Sequence, residues 1–494
     1  MSRPFFPDDE RKTYRRVDPD YKHKIYELHN ADTLRFCYQC GTCTANCPLS
    51  QFMDIYRPNK ILEMARLGIK NTAQSNAFLL CSACTQCTKG CPQGVKVHEF
   101  MHALKELAVN DENALDYLVN EFGDVLAALA AEMPFPVSYS WLCLAPVMAD
   151  TNSDVFDKVV RDVLYRSLSH IEDKGREYDK KGSARIAVIG SGPAGLTAAW
   201  ELCIAGYDVT VFEPLPEAGG MFTVGIPTYR LPNEIVAAEV RHIEALGVEI
   251  RTNTPVEKTM FSDFLSSGEY KAVFIASGAH KSRRLLIEGE DLKGVILALD
   301  FLRGFNLNEI KDIGKKVVVI GGGNVGIDAA RTALRCGADT VRVVCLESRN
   351  EMPSHEWEIQ EAVTEGVIIE PSWGPKEILG DGEKVTGIKL VRCKSVFDAD
   401  KKFRPVFDDS ETQTVQADTI ITAIGQSPAL DFLRRMVDID RGVVSVDPLT
   451  MKTSLPGVFA GGDSVWGTAS LIEAIVAGRT AAGSIIRYLE GMDT

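Results

Sequence analysis

Twice in this chain a short apolar run ends in a glycine fingerprint: "IAVIGSGPAG" at 186–195 and "VVVIGGGNVG" at 317–326. A strand that is apolar along its whole length must be buried on both faces, which selects a parallel sheet covered by helices on both sides. The glycines constrain the turn that follows. In G-x-G-x-x-G the first glycine allows a tight turn, the second lets a pyrophosphate approach the backbone, and the third lets helix close on strand. Gly190, Gly192 and Gly195 fill these places in the first run, with Pro193 and Ala194 opening the helix; Gly321, Gly323 and Gly326 fill them in the second, around Asn324 and Val325. The positive end of each helix then faces the anion.

In each unit the next strand ends in a carboxylate, Glu213 in "DVTVFE" and Glu347 in "VRVVCLESR". A carboxylate there accepts hydrogen bonds from a ribose diol. At Glu347 it welcomes a free 2′-hydroxyl and repels a 2′-phosphate, so NAD(H) is favoured over NADP(H). Arg349, two residues on, has the opposite charge and leaves NADP(H) open. One glycine-rich turn alone would be weak evidence for a nucleotide. Strand, turn, helix and carboxylate in register, used twice, argue for two dinucleotides in one chain.

A second repeated pattern lies upstream. "CYQCGTCTANCP" at 37–48 and "CSACTQCTKGCP" at 81–92 both read C-x2-C-x2-C-x3-C-P. Three thiolates at this spacing wrap one cluster from a short loop, the proline turns the chain away, and the fourth cysteine serves the other cluster. The expected ligand sets are therefore Cys37, Cys40, Cys43 and Cys91 for one 4Fe–4S cluster, and Cys81, Cys84, Cys87 and Cys47 for a second. Structural zinc or disulfides are the plain alternatives, and the doubled spacing with its closing proline argues against them.

At 494 residues the chain exceeds what one core serves. The expected class is multi-domain: an N-terminal α-helical ferredoxin-like domain and two α/β Rossmann-like dinucleotide-binding domains, the second inserted in the first. The expected divisions are an arm at 1–30, a helical two-cluster domain at 31–110, a helical linker at 111–182, a first nucleotide domain at 183–310 and 415–494, and a second at 311–414. The insertion follows because "GVFAGGD" at 457–463 resumes a strand-and-glycine pattern without a third fingerprint.

A formal net charge of −14 gives no attraction for nucleic acid. No stretch reads as a secretory signal or membrane span, which makes the cytoplasm the expected location without direct membrane insertion. His98 and His102, at i and i+4 of a helical pattern, read as helix surface rather than a metal pair. Cys203 and Cys143 read as packing. The C-terminal 310 residues contain no C-x-x-C pair of the thioredoxin-reductase type.

The order of "GSGPAGLTAAWEL", "GGMFTVGIPTYRLP", "GGGNVGIDAARTALRCGA", "EMPSHEWEIQEAVTEGV", "TAIGQSP" and "GVFAGGD" across residues 183–494 resembles the small subunit of glutamate synthase. It is also similar to the flavin-bearing half of dihydropyrimidine dehydrogenase and to NADH-dependent ferredoxin:NADP oxidoreductase subunits. The resemblance implies FAD at Gly190 to Gly195 and Glu213, with Gly220, Met221, Arg230, Val256, Ala276 and Gly278 along it. Asp463 would meet its ribityl or pyrophosphate, and Thr468, Ala469 and Ser470 would open a helix facing the flavin pyrimidine. The nicotinamide nucleotide would lie on Gly321 to Gly326, with Glu347, Arg349 and Gly425 beside it.

Glutamate synthase relatives carry paired arginines where this chain has Glu347 and Ser348, a departure toward NADH, and they interrupt their cysteine groups. The uninterrupted groups here, with "NKILEMARLG" and "GVKVHEFMHALKELA", instead resemble the small iron–sulfur subunit of heterodisulfide reductase, a comparison that points to thiol–disulfide or electron-bifurcating complexes. The expected function is an electron hub between NAD(H), FAD, two clusters and a redox partner subunit, with no side chain needed as acid or base. A glutamate-synthase-like NADPH-oxidising donor and a non-enzymatic docking scaffold are the alternatives.

Overall fold

The computed structural model describes residues 19–28, 31–53, 56–69, 76–109, 126, 129–130, 132–150 and 184–492. Most of the expected arm and much of the expected linker lie outside these residues. Two five-stranded parallel sheets organise the rest. In the first, the order is Val458–Ala460, Tyr270–Ile275, Arg185–Ile189, Asp208–Phe212, Glu249–Arg251. In the second it is Val295–Leu297, Thr419–Thr422, Lys316–Ile320, Thr340–Cys345, Ile368–Pro371.

The strand at Val458–Ala460 pairs in parallel with Tyr270–Ile275, so the chain leaves the first sheet, builds the second and returns. The boundaries at 311 and 414 need correction. Val295–Leu297 and Thr419–Thr422 pair with each other, and the latter pairs with Lys316–Ile320, so both belong to the second sheet. The fingerprint marks only the central strand of its unit. Strands of three or four residues carry no glycine signal and are assigned by pairing alone.

Alternation along the apolar strands divides the cores. Ile186 and Val188 face one core while Ala187 and Ile189 face another; Val317 and Val319 are likewise split from Val318 and Ile320. Side chains two apart share a face of a sheet, so each central strand needs cover on both sides. On the first sheet, helix Pro193–Ile204 provides one cover and crosses the C-terminal helix Leu471–Leu489 closely. A Cβ added at Gly478 would lie 2.3 Å from the Ala194 carbonyl oxygen. A three-stranded antiparallel sheet, Trp373–Gly380, Val385–Phe397 and Phe403–Gln416, projects beyond the second parallel sheet.

The cysteine-bearing region is a set of short helices, including Thr42–Ala45, Pro58–Arg66, Gln86–Lys89 and Val97–Val109. It does not hang from a linker. One continuous core takes in Phe100, Leu104 and Tyr139 together with Ile186, Leu196 and Ile475. The wedge is helix Pro136–Asp150, which falls inside the expected linker and corrects it. The Tyr139 hydroxyl donates to the Leu80 carbonyl at 2.9 Å, while Phe135 meets Phe222 edge to face at 5.2 Å. Fully buried Glu239 caps the wedge from the nucleotide side, accepting from the Val137 N–H at 2.7 Å and from the Ser138 backbone and hydroxyl. Among the described residues no helix is long and apolar enough to cross a membrane.

The close crossing at Gly478 makes a stability prediction with an internal control. Gly478→Ala is expected to destabilise by about 1–3 kcal/mol, because the added carbon overlaps a carbonyl that the helix cannot move. Gly483→Ala, one and a half turns on, has only the Arg487 guanidinium within reach at 3.8 Å. It should gain up to about 1 kcal/mol from helix propensity. Thermal melts of the two variants check the pair.

Candidate functional site

The first fingerprint is built by contacts that leave no room for side chains at two of its three glycines. Gly190 ends its strand at φ +102°, donates its N–H to the Phe212 carbonyl at 2.8 Å, and a Cβ there would lie 2.4 Å from the Ala276 oxygen. A Cβ on Gly195 would lie 2.0 Å from the Gly190 oxygen, yet one on Gly192 would meet nothing within 4 Å. So Gly190 and Gly195 fix the turn, and Gly192 presents bare backbone to open space. Buried Glu213 accepts from the Ser191 N–H at 2.9 Å and hydroxyl at 2.6 Å, and from the Leu215 N–H at 2.9 Å. A carboxylate offers about four lone-pair sites, so capacity remains for a ribose.

The second fingerprint repeats the construction. A Cβ on Gly321 would lie 2.2 Å from the Ala423 oxygen and one on Gly326 would lie 2.1 Å from the Gly321 oxygen, while Gly323 has only Pro353 at 3.9 Å.

One cavity of about 1620 Å³ joins the two turns. Single-ligand pockets usually hold about 300–1,000 Å³. Every residue expected at the first nucleotide lines this cavity except Gly195 and Gly220, and every one expected at the second does except Gly326 and Arg349. The excluded glycines stand behind the wall: a Cβ on Gly220, at φ +57°, would reach Gly192 at 2.7 Å. Arg349 is drawn off by a two-pronged pair with Glu356 at 2.8 and 2.6 Å. The wall also holds the Ser277 hydroxyl, buried without a partner among the described residues, and Asp463, whose carboxyl burial pushes up to about 6. An orphaned hydroxyl and a protonatable acid on an open glycine turn suit a polar, phosphate-bearing ligand.

Arg230 lines the cavity and also carries ion pairs that the sequence did not suggest. Its guanidinium grips Asp328 at 2.7 Å and Glu358 at 2.9 Å and lies over the Trp357 ring at 5.8 Å. Asp328 belongs to the second fingerprint helix, so Arg230 ties the two nucleotide units together. Burial pushes the Glu358 carboxyl up while Arg230 pulls it down. The two histidines expected on a helix surface face inward instead. His98 shares a hydrogen bond with the Thr88 hydroxyl at 2.8 Å, His102 stacks on Trp357 at 6.3 Å, and both line the cavity.

The cysteine loops share one backbone pattern. Gln39 and Gly41 flank Cys40 with φ of +63° and +80°, and Ala83 and Thr85 flank Cys84 with +52° and +64°. Left-handed residues inside a turn aim successive N–H groups inward, forming the kind of anion-binding hollow that iron–sulfur sites use. Three of the four are not glycine, a strain of about 1–3 kcal/mol each that persists only where the surroundings enforce it. Cys37, Cys40, Cys43 and Cys91 border one void; Cys47, Cys81, Cys84 and Cys87 border another. Among the described residues no three His, Cys, Asp or Glu side chains group as a single-ion site. Burial, reinforced by neighbouring thiols, pushes Cys43 up to about 11 and Cys84 up to about 12, so a cation must displace their protons.

The second cysteine loop reaches the large cavity. Cys81, Ser82, Ala83 and Cys84 line it. Gln86 donates to one Glu473 oxygen at 2.6 Å, and the other Glu473 oxygen accepts the Ser470 N–H at 2.9 Å at the start of the C-terminal helix. Beneath the loop, buried Lys105 donates to the carbonyls of Cys81 and Cys143, both at 2.6 Å. Sequence reasoning missed Gln86, Glu473, Lys105, Asp328 and Glu358. The available signal was a charge set among apolar residues, as in "GIDAA" and "HALKEL".

Residues 184–481 match the pyridine nucleotide-disulphide oxidoreductase family, with a further match at 163–263. The chain belongs to that family. Residues 36–96 match a 4Fe–4S dicluster domain, so this is an oxidoreductase with an iron–sulfur segment at its N-terminal side. It is 32% identical to the NADPH-Fe(3+) oxidoreductase subunit beta of Geobacter sulfurreducens, over 93% of this chain and 71% of that one. It is 45% identical to the NADP(+)-dependent formate dehydrogenase subunit beta of Moorella thermoacetica over 62% of this chain, and spans 44% of that relative's length. Identity to the glutamate synthase [NADPH] small chain of Escherichia coli is 35%, over 63% of this chain and 70% of that one. The fold is shared with Mycobacterium tuberculosis FprA, solved in complex with NADPH, at TM-score 0.54 and 21% identity over 63% of this chain and 85% of that one.

Arg230 gives this site its own prediction. Arg230→Ala leaves Asp328 and Glu358 facing each other without a cation, at an expected cost of about 3–5 kcal/mol. Arg230→Ala combined with Glu358→Gln should recover part of that loss, and denaturant titration of both variants measures the difference.

Proposed function

We propose that this chain is the nicotinamide-oxidising subunit of a redox complex, holding FAD at the first fingerprint, NADH at the second and two 4Fe–4S clusters on the cysteine loops. The observation that carries the reading is the single cavity bordered by both glycine turns and by the loop of Cys81 to Cys84. A flavin takes two electrons from a reduced nicotinamide and releases them singly to clusters that accept one at a time.

The chain's own residues bind, orient and insulate. Gly192 and Gly323 offer backbone to the two pyrophosphates, and Glu213 and Glu347 offer carboxylates to the riboses. The positive end of helix Leu471–Leu489, opening at Ser470, favours negative charge on the wall facing it. Cys37, Cys40, Cys43 and Cys91 would hold one cluster, and Cys47 with Cys81, Cys84 and Cys87 the other. Cys81 and Cys84 of the second set line the cavity while Cys40 is exposed, which supports a path from the nucleotide side outward to a partner protein. Relatives named as subunits of formate dehydrogenase, glutamate synthase and NADPH-Fe(3+) oxidoreductase support a partner of that kind.

NADH is the donor favoured by Glu347 on the cavity wall with Arg349 engaged elsewhere. The names of the relatives favour NADPH, and the two readings separate cleanly. Chain purified without oxygen should reduce a viologen dye with NADH faster than with NADPH, and Glu347→Arg should reverse the order. A wild-type preference for NADPH overturns the choice of donor, and no dye reduction with either overturns the enzyme. For the clusters, Cys47→Ser should alter the electron paramagnetic signal of one cluster and leave about half the iron in place. Loss confined to the cluster of Cys37, Cys40 and Cys43 would reverse the assignment.

A further inference from the structure

The antiparallel sheet beyond the second nucleotide unit carries aromatic rings that the proposed function leaves unused. Phe403 is 65% exposed and Phe407 39%, unusual for large rings beside a cavity, and both line the same cavity as Glu347. Trp373, which follows strand Ile368–Pro371, lines it too.

Phe407 and Trp373 stand near Glu347, and Phe403 opens the strand that carries Phe407, meeting Phe397 edge to face at 6.3 Å. A Cβ on Gly374 would lie 2.6 Å from the Phe407 ring and 2.9 Å from Leu346, the neighbour of Glu347. The Ser372 N–H donates to the Glu347 carbonyl at 2.8 Å, which pins Trp373 beside that residue. Behind Trp373, Arg392 lies 5.2 Å from the ring centre and braces it.

A dinucleotide seated on Gly323 has a fixed direction. Its pyrophosphate lies on the glycine turn and its adenosine ribose at the carboxylate ending the next strand, so its adenine falls beyond Glu347. We propose that Trp373, Phe403 and Phe407 form an adenine clamp: the purine of the nicotinamide nucleotide stacks against these rings, and the long hairpin exists to carry them there. The proposal rests on the second fingerprint being the nicotinamide site. Stacking explains why two phenylalanines stay uncovered, because every base has a π face and a ring of this size prefers it to water.

ADP-ribose carries the adenine without the nicotinamide, and reduced nicotinamide mononucleotide carries the nicotinamide without the adenine. Both probes are applied to the FAD-loaded full chain and to a Phe403→Ala, Phe407→Ala double variant. Calorimetric Kd for ADP-ribose and KM for NADH in dye reduction should each rise about tenfold in the variant. Dye reduction driven by the mononucleotide should be unchanged. ADP-ribose binding within about twofold of the unmutated chain overturns the clamp, and so does a mononucleotide rate that falls in step with the dinucleotide rate. If the double variant does not fold, Phe403→Ala alone removes only the more exposed ring and should show about a threefold rise in both constants. Turnover with unaltered ADP-ribose binding removes the clamp alone; no turnover of NADH or NADPH by the unmutated chain removes the clamp and the proposed function together.

Discussion

The contact on which the rest depends is the seating of helix Pro136–Asp150 between the cysteine loops and the first sheet. One end of it is held by the Glu239 carboxylate at its first turn; its middle reaches Leu80 through Tyr139 and Cys143. Three donors favour the Glu239 anion, while burial opposes it and pushes the carboxyl up to about 8. Electron transfer falls off steeply with distance, so loops carried on a mobile tether would serve poorly. A continuous core through Phe100, Tyr139, Leu196 and Ile475 removes that freedom.

Polar links refine what packing sets. Gln86, lying between two cysteines of the second loop, bonds Glu473 at the head of the C-terminal helix, so the loop and the cavity wall share a register. Lys105 holds two carbonyls of the same neighbourhood from below. Arg230 does for the two nucleotide units what Gln86 does for loop and helix. It spans them with two carboxylates and one indole face, on the wall of the cavity that joins the two glycine turns.

Strain is distributed to the same end. The residues flanking Cys40 and Cys84 adopt left-handed conformations, three of them without glycine's freedom, and the paired glycine turns tolerate no Cβ at their first and third positions. Backbone brought this close to itself leaves N–H groups aimed at empty space, which is the condition for holding an anionic group.

The sequence by itself determined the two nucleotide-binding units, their insertion and the spacing of the cysteine loops. Apolar strands, obligatory glycines and thiol intervals are local requirements, legible one segment at a time. So were Gly190 and Gly321, forced by the tight turn, Gly192 and Gly323, which leave backbone open beside it, and Glu213 and Glu347 at the strand ends. Tertiary structure alone decided the short strands at Val295–Leu297 and Thr419–Thr422, the wedge at Pro136–Asp150, the inward turn of His98 and His102, and the capture of Arg230 and Arg349 by carboxylates. Apart from Arg349, whose partner Glu356 lies seven residues on, and His98, ten residues from Thr88, these depend on partners tens to hundreds of residues away. A charge in a helical pattern reads as solvent-facing until the fold brings an opposite charge to it, and no local spacing encodes that meeting.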